Sequence, residues 1–329
     1  MIKIFKNYNG KINEITNFCT SISLSGSLNE VSRKLECTIM YPFYDPYQIR
    51  QQIGPMTKVW AILDGKEIFR GIVVDRELNS ENSLNFTAFD YAYYLTKNKV
   101  TYNFRNISAD NATKKMLSEV GVQAGYIASS NIRLNRLIAQ KTVYDAIIEL
   151  YTQVSKQTGK QYYIRMVGTK VNVEELGKNL VNKIIRPATD IYTGDGNLLS
   201  FEYKDTMGNM INKVKIYDEK NGYISKVENT TDIKIYGILQ ENYVKEKDKN
   251  ANIVAKNMLH GLDREFSCST IGNYIYRTGN AVRVKLPSIS NLENTIMYVI
   301  EDTHTWDIET GTFISNLSLS YVNNMDSKE

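Results

Sequence analysis

Alternation of apolar and polar positions dominates the first hundred residues. Ser21-Ile22-Ser23-Leu24-Ser25 and Leu35-Glu36-Cys37-Thr38-Ile39 both keep period two, and the polar stretch Gly26-Ser27-Leu28-Asn29 between them reads as a turn. The pair therefore predicts two strands. Residues 41–47 contain Pro42 and Pro46, which cannot donate to a central ladder, and predict a loop. Residues 58–63, the Asp64-Gly65 turn, and residues 68–74 and 83–89 then predict a meander with short connections.

After Ile107 the period changes to that of a helix. Ser108, in N-cap position, precedes Ala112, Met116 and Val120 on one face, and Gly121 stands where a left-handed terminating residue belongs. Thr142 likewise precedes the stripe Val143, Ala146, Ile147, Leu150 and Val154, which Gly159 ends. Both stripes predict core-facing helices. Residues 161–167 and 170–173 around Gly168-Thr169 predict a hairpin that closes this segment. Strand patterning returns at Leu198. A third helix is predicted from about Asp248 or Asn250, with Ala251, Val254, Ala255, Met258 and Leu262 inward and Gly261 near its end. The mixed-sign run 245–249 before it predicts a solvated loop.

The two β-rich stretches resemble each other in order. Residues 21–24 and 35–39 match 199–203 and 214–217; 59–62, 69–75 and 84–91 match 282–286, 297–302 and 313–321. This order predicts an internal duplication. The expected fold is mainly β with an α+β insert: two tandem small antiparallel β-barrels of similar topology, a helical insert between them and one helix in the second. Closing each sheet would hide its edges. The expected boundaries are 1–106, 107–190 and 191–329, with the third helix at about 249–261.

Charge narrows the function classes. Forty Lys and Arg against 36 Asp and Glu give a net charge of +4 with no basic block, which disfavours a dedicated nucleic-acid binder. Cys19, Cys37 and Cys268 share no CxxC or even framework and read as buried thiols of a reducing compartment. The N-terminus lacks the apolar core of a signal peptide, and no stretch reaches a membrane span. The expected product is made in the cytoplasm without a signal peptide and touches no membrane.

Candidate chemistry is thin. The chain has two histidines, His260 and His304, and a Cys268–His304 nucleophilic pair lacks a glycine-rich turn and a third orienting group. No clustered ligands predict a metal, residues 192–197 lack the acids of a calcium loop, and no Gly-Lys pair has the spacing of a phosphate loop. No cofactor or small-molecule substrate is expected. Asp90 follows a predicted strand and precedes Tyr91-Ala92-Tyr93-Tyr94-Leu95, so its carboxylate is expected to accept backbone N–H bonds as the cap of a short helical turn. Tyr91 and Tyr94, three apart, would pack on one side of that turn. Gly71, inside a strand, predicts a bulge or close backbone approach.

These residues also carry a resemblance. Phe69-Arg70-Gly71-Ile72-Val73, Ala88-Phe89-Asp90-Tyr91-Ala92-Tyr93-Tyr94-Leu95, Phe104-Arg105-Asn106-Ile107-Ser108-Ala109, Gly159-Lys160-Gln161-Tyr162, Tyr236-Gly237-Ile238-Leu239-Gln240 and His304-Thr305-Trp306 resemble the baseplate hub of PBSX-type prophages and related contractile tails. They are similar, further off, to late control protein D of other phages and to the N-terminal half of type VI secretion spike proteins. The resemblance implies a non-enzymatic, trimeric hub of a phage or phage-tail-like bacteriocin. Its partners would be itself, the tail tube protein, the central spike and other baseplate proteins, and it would end up in the baseplate of the released particle. The structural motif positions it marks are Gly71, Asp90, Tyr91, Tyr94, Gly159, Gly237, His304 and Trp306. Two alternatives remain, a tail-associated peptidoglycan hydrolase and a barrel protein that binds single-stranded nucleic acid.

Overall fold

The structure, a computed structural model, describes residues 1–45, 47–188, 195–245 and 251–328. Pro46, the first half of the 192–197 turn, the start of the third helix and most of the mixed-sign run lie outside the described residues. Two compact units are present, Met1–Phe201 with Ser267–Glu329, and Glu202–Phe266. These bounds differ from the three sequence segments, because the strands after Ser267 join the sheet of the first hundred residues.

The first unit opens with seven strands: β1 (Ile2–Tyr8), β2 (Lys11–Glu14), β3 (Cys19–Ser27), β4 (Lys34–Met40), β5 (Lys58–Leu63), β6 (Lys66–Leu78) and β7 (Ser83–Asp90). A mixed segment follows with α1 (Tyr93–Lys97), β8 (Lys99–Ser108), α2 (Ala109–Glu119), β9 (Gln123–Ile127), β10 (Arg133–Thr142), α3 (Val143–Thr158), β11 (Tyr162–Val167), β12 (Lys170–Glu175) and β13 (Leu180–Ile185). The strand β14 (Leu198–Thr206) carries the chain into the second unit, which holds β15 (Lys213–Tyr217), β16 (Tyr223–Glu228), α4 (Thr230–Tyr236), β17 (Gln240–Val244) and α5 (Ala251–Met258). Then β18 (Asp263–Ile271) leads back to β19 (Ala281–Val284), β20 (Thr295–Asp307) and β21 (Thr312–Ser320).

One hydrogen-bonded sheet takes in both β-rich stretches, in the order β14-β18-β21-β20-β3-β4-β7-β6-β5-β1-β2, with β19 beside β20 and β13 beside β19. The path is open at β14 and at β2. The expected closure of each half into its own barrel is therefore not what the hydrogen bonds make. The reason lies in β20, which pairs with β19 over Thr295–Tyr298 only, so the rest of that edge takes β3, Glu301–Asp307 against Ser27–Ser21. Trp306 accordingly packs in the core of the first half, among Ile22, Leu24, Leu35 and Phe86.

The duplication is present in the strand order. The series β3-β4-β7-β6-β5-β1 is matched, in the same chain order, by β14-β18-β21-β20-β19-β13. Both β6 and β20 have 13 residues, and each bulges against its hairpin partner, between Val73 and Asp75 and between Val299 and Glu301. The copies differ in strand direction at one place: β1 runs antiparallel to β5, whereas β13 runs parallel to β19. The structure also corrects one strand of the alignment. Residues 214–217 fall in β15, which forms a separate sheet β16-β15-β17 in the second unit, and the true counterpart of β4 is β18. Period two reports a buried face, not a partner, so any alternating strand fits an alignment equally well.

The mixed segment has its own core. Ala112 and Met116 of α2 and Ala146, Ile147, Leu150 and Val154 of α3 are fully buried in it, with Leu95 from α1, Ala92 at its N-cap, and Val171 and Val173 from β12. The β11–β12 hairpin forms as expected, and β9 joins it in parallel. At α3 both end signals operate: Thr142 Oγ1 accepts from Asp145 N, and Gly159 closes the helix at φ 72°. At α2 Ser108 holds the N-cap position, but its side chain accepts no cap bond. In the second unit Ala255 of α5 is buried against Val214, Ile216 and Tyr243, while Leu262 falls beyond the helix. Gly237 ends α4, a helix that periodicity did not predict.

Candidate functional site

The joint between the two halves is where the residue types become unusual. Across β20 the inward phase carries Met297 and Val299, then the bulge shifts it, and Asp302, His304 and Trp306 point inward instead. Two polar side chains thus enter a core. Asp302 is 1% exposed and receives four donors: Arg33 Nη1 at 2.9 Å and Nη2 on its other oxygen, the backbone N of Thr278 at 2.7 Å and Thr278 Oγ1. This is a bidentate guanidinium–carboxylate pair. Thr278 Oγ1 also reaches the carbonyl of Gly26 in β3. A Cβ on Gly26 would lie 2.5 Å from Arg33 Nη1, so the bare backbone makes room for the guanidinium. Gly26 and Ser27 belong to β3 and not to the turn expected there, because the partner strand β20 holds them extended.

Asp90 sits on the other side of Arg33. Its carboxylate accepts from Arg33 N at 3.1 Å and Ala92 N at 3.0 Å, and its own N donates to Arg33 O. Ala92, not Asp90, is the N-cap residue of α1, so Asp90 clasps the strand–helix corner to the loop before β4. The rings of Tyr91 and Tyr94 stack beside it with centroids 6.4 Å apart. Gly71 pairs with Asp90 across the ladder, and a Cβ there would meet Phe89 O at 2.1 Å. The chain approaches itself too closely at this point for any side chain.

Charge and burial set the ionisation states. Burial would raise Asp302, but the Arg33 charge and hydrogen bonds, with His304, outweigh it and hold the carboxyl well below the usual carboxylate range. Asp90 goes the other way. Burial pushes it up to about 7, against two backbone N–H groups and the charges of Arg277 and Arg33. Burial also lowers His304, against the pull of Asp302.

His304 hydrogen-bonds through Nδ1 with Ser315 Oγ at 2.7 Å, and its Nε2 stands 3.1 Å from Asp302 Oδ2 without the alignment of a hydrogen bond. Serine, histidine and aspartate in this sequence invite comparison with a hydrolase relay. Here His304 and Ser315 have no exposed surface and Asp302 is already bound by Arg33, so a substrate has no approach. Cys268 is also buried, and burial pushes its thiol up to about 12, the reverse of an activated nucleophile. What the group does is fasten β3, β20 and the Thr278 loop to one another.

The remaining marked positions lie apart from this joint. Gly159 and Gly237 end helices in different units. Arg33 and Thr278 escaped notice in the sequence because each is a single polar residue in a polar stretch; Asp302 and His304, and Ser315 in phase with Leu317 and Leu319, carried a usable signal, polar residues at positions where the strand alternation points inward.

The YQBQ-like family model matches residues 22–319. The chain belongs to the YQBQ-like family. Two Bacillus subtilis (strain 168) relatives are each 27% identical. YqbQ matches over 241 residues, 70% of this chain and 69% of that protein; the phage-like element PBSX protein XkdQ matches over 225, 67% of this chain and 66% of its own length. Among solved structures, the 43 kDa tail protein of prophage MuSo2 from Shewanella oneidensis has a TM-score of 0.70 at 15% identity, covering 98% of this chain and 100% of that one. A tail protein from Neisseria meningitidis MC58 has a TM-score of 0.66 at 12% identity, covering 97% and 96%. The E. coli c3393 protein, described as a type VI secretion component similar to T4 tail proteins, has a TM-score of 0.55 at 7% identity, covering 94% and 76%. The fold is that of phage tail proteins, mainly β with few helices.

Proposed function

We propose that this chain is a structural hub of a contractile tail baseplate, a homotrimer that adapts a sixfold tail tube to a threefold central spike. The observation that carries the reading is the repeated strand order within one chain. Three copies of a chain with two alike sheet halves offer six nearly equivalent edges on a threefold axis, which is what a symmetry adaptor needs. The relatives named for a PBSX element and for tail proteins, and the likeness to a chain of the Francisella PdpA–VgrG complex (TM-score 0.59 at 11% identity), support the setting. A non-enzymatic role accords with the only Ser–His–Asp group described above being closed to solvent.

The test is native mass measurement of the full chain, alone and mixed with tail tube and central spike proteins. The expected species is a trimer that binds both. A chain that remains monomeric in every mixture, or that degrades purified peptidoglycan and loses that activity on His304→Ala, would overturn the hub. Steeply salt-dependent binding of oligonucleotides would favour the nucleic-acid alternative instead.

A further inference from the structure

One pairing that joins the two copies of the repeat, β20 with β3, is made only once. After its bulge, β20 is covered on one edge by β21 and on the other by β3, so Glu301–His304 lies between two strands. Superposing the bulges of the two copies puts Asp75–Leu78 of β6 in the corresponding place. Those residues pair with β7 on one edge, β5 reaches only as far as Ile72, and among the described residues no strand covers the other edge. The counterpart of β3 is β14, the strand at which the sheet order ends.

We propose that Asp75–Leu78 of one chain receives β14 of a second copy as an antiparallel strand, repeating between chains the joint that β20 and β3 make within a chain. Around a trimer, internal and intermolecular joints then alternate and six sheet halves form one ring. The proposal rests on the hub reading and names its subunit interface.

Register and charge agree with it. β3 and β14 are both nine residues long, and matching them end to end transfers the register in which Glu301 faces Ser27 and His304 faces Leu24. Asp75 then faces Thr206, Arg76 faces Asp205, Glu77 faces Lys204 and Leu78 faces Tyr203. Two opposite-charge pairs stand directly across the joint. A slip of one residue in one direction sets Asp75 against Asp205 and Arg76 against Lys204; in the other it sets Glu77 against Asp205. Both slips are penalised, because like charges directly opposite destabilise a ladder. All four β6 residues are exposed in the single chain. Charges on an edge also serve to repel unwanted strands, and the experiment separates the two roles.

The full chain carrying both Glu77→Cys and Lys204→Cys is oxidised and run without reductant. Facing residues in an antiparallel ladder lie close enough for a disulfide, and Cys19, Cys37 and Cys268 are buried and out of reach. Covalent trimers from the double variant, and none from either single variant, are expected. As a second measurement, Glu77→Lys is expected to weaken trimer formation about tenfold, three copies of one contact compounding, with Lys204→Glu restoring it. A trimer by mass that forms no such crosslink, or a disulfide confined to one chain, would overturn this interface and leave the hub standing. A chain that never trimerises would overturn both.

Discussion

Arg33 and Asp302, 269 positions apart in the chain, meet through a bidentate hydrogen-bonded pair in the interior, where Arg33 is 7% and Asp302 1% exposed. Arg33 belongs to the loop before β4 and Asp302 to β20, so the pair spans the joint between the two halves of the repeat. Removing one partner strands the other as a buried charge.

Arg33→Met is accordingly expected to cost about 3–5 kcal/mol, the usual penalty for an uncompensated buried carboxylate. Adding Asp302→Asn should recover part of the loss. Urea titration of the two single variants and the double variant measures the coupling; additive losses would show that the pair is not a unit.

Gly26→Ala should reach the same pair by another path. The new methyl group would lie 2.5 Å from Arg33 Nη1 and force the guanidinium off Asp302. A loss of about 1–3 kcal/mol is expected, as for overpacking elsewhere. In an Arg33→Met background the same substitution should cost less, and an equal cost in both would refute the mechanism.

Gly71→Ala meets backbone, 2.1 Å from Phe89 O, and backbone in a central ladder cannot move aside. The expected loss is about 1–3 kcal/mol or more, read as a lower midpoint in thermal or urea unfolding. Gly71→Val should be worse.

Asp90 links stability to pH. Its carboxyl keeps its proton in the folded chain up to about 7, while the unfolded chain releases it near 3.8. Folding therefore takes up a proton between these values, and the Asp90 contribution falls as pH rises through the window, with a slope approaching about 1.4 kcal/mol per pH unit. His304, lowered by burial, works in the opposite sense below its ordinary value of 6.5. Asp302, whose folded value is depressed, contributes stability above 3.8 that is lost in stronger acid. The Asp90 contribution is isolated as the difference between wild type and Asp90→Asn, which should grow in the variant's favour from pH 4 to pH 7. A pH-independent difference would show that Asp90 ionises normally.

Local signals in the sequence determined the elements. Alternation marked β3, β4, β5, β6 and β7, the Thr142 and Gly159 signals bounded α3, and the order of strands disclosed a duplication. Each follows from short-range physics: a face to bury, a cap to fill, a left-handed end. The tertiary structure decided which strand lies beside which. It placed β18 and not β15 in the main sheet as the counterpart of β4, and gave the second edge of β3 to β20, so that two expected barrels became one open sheet. Pairing is decided by edges and by groups far apart in the chain, and Arg33 with Asp302 is legible only once those edges have met. A single strand's pattern carries no record of its neighbour.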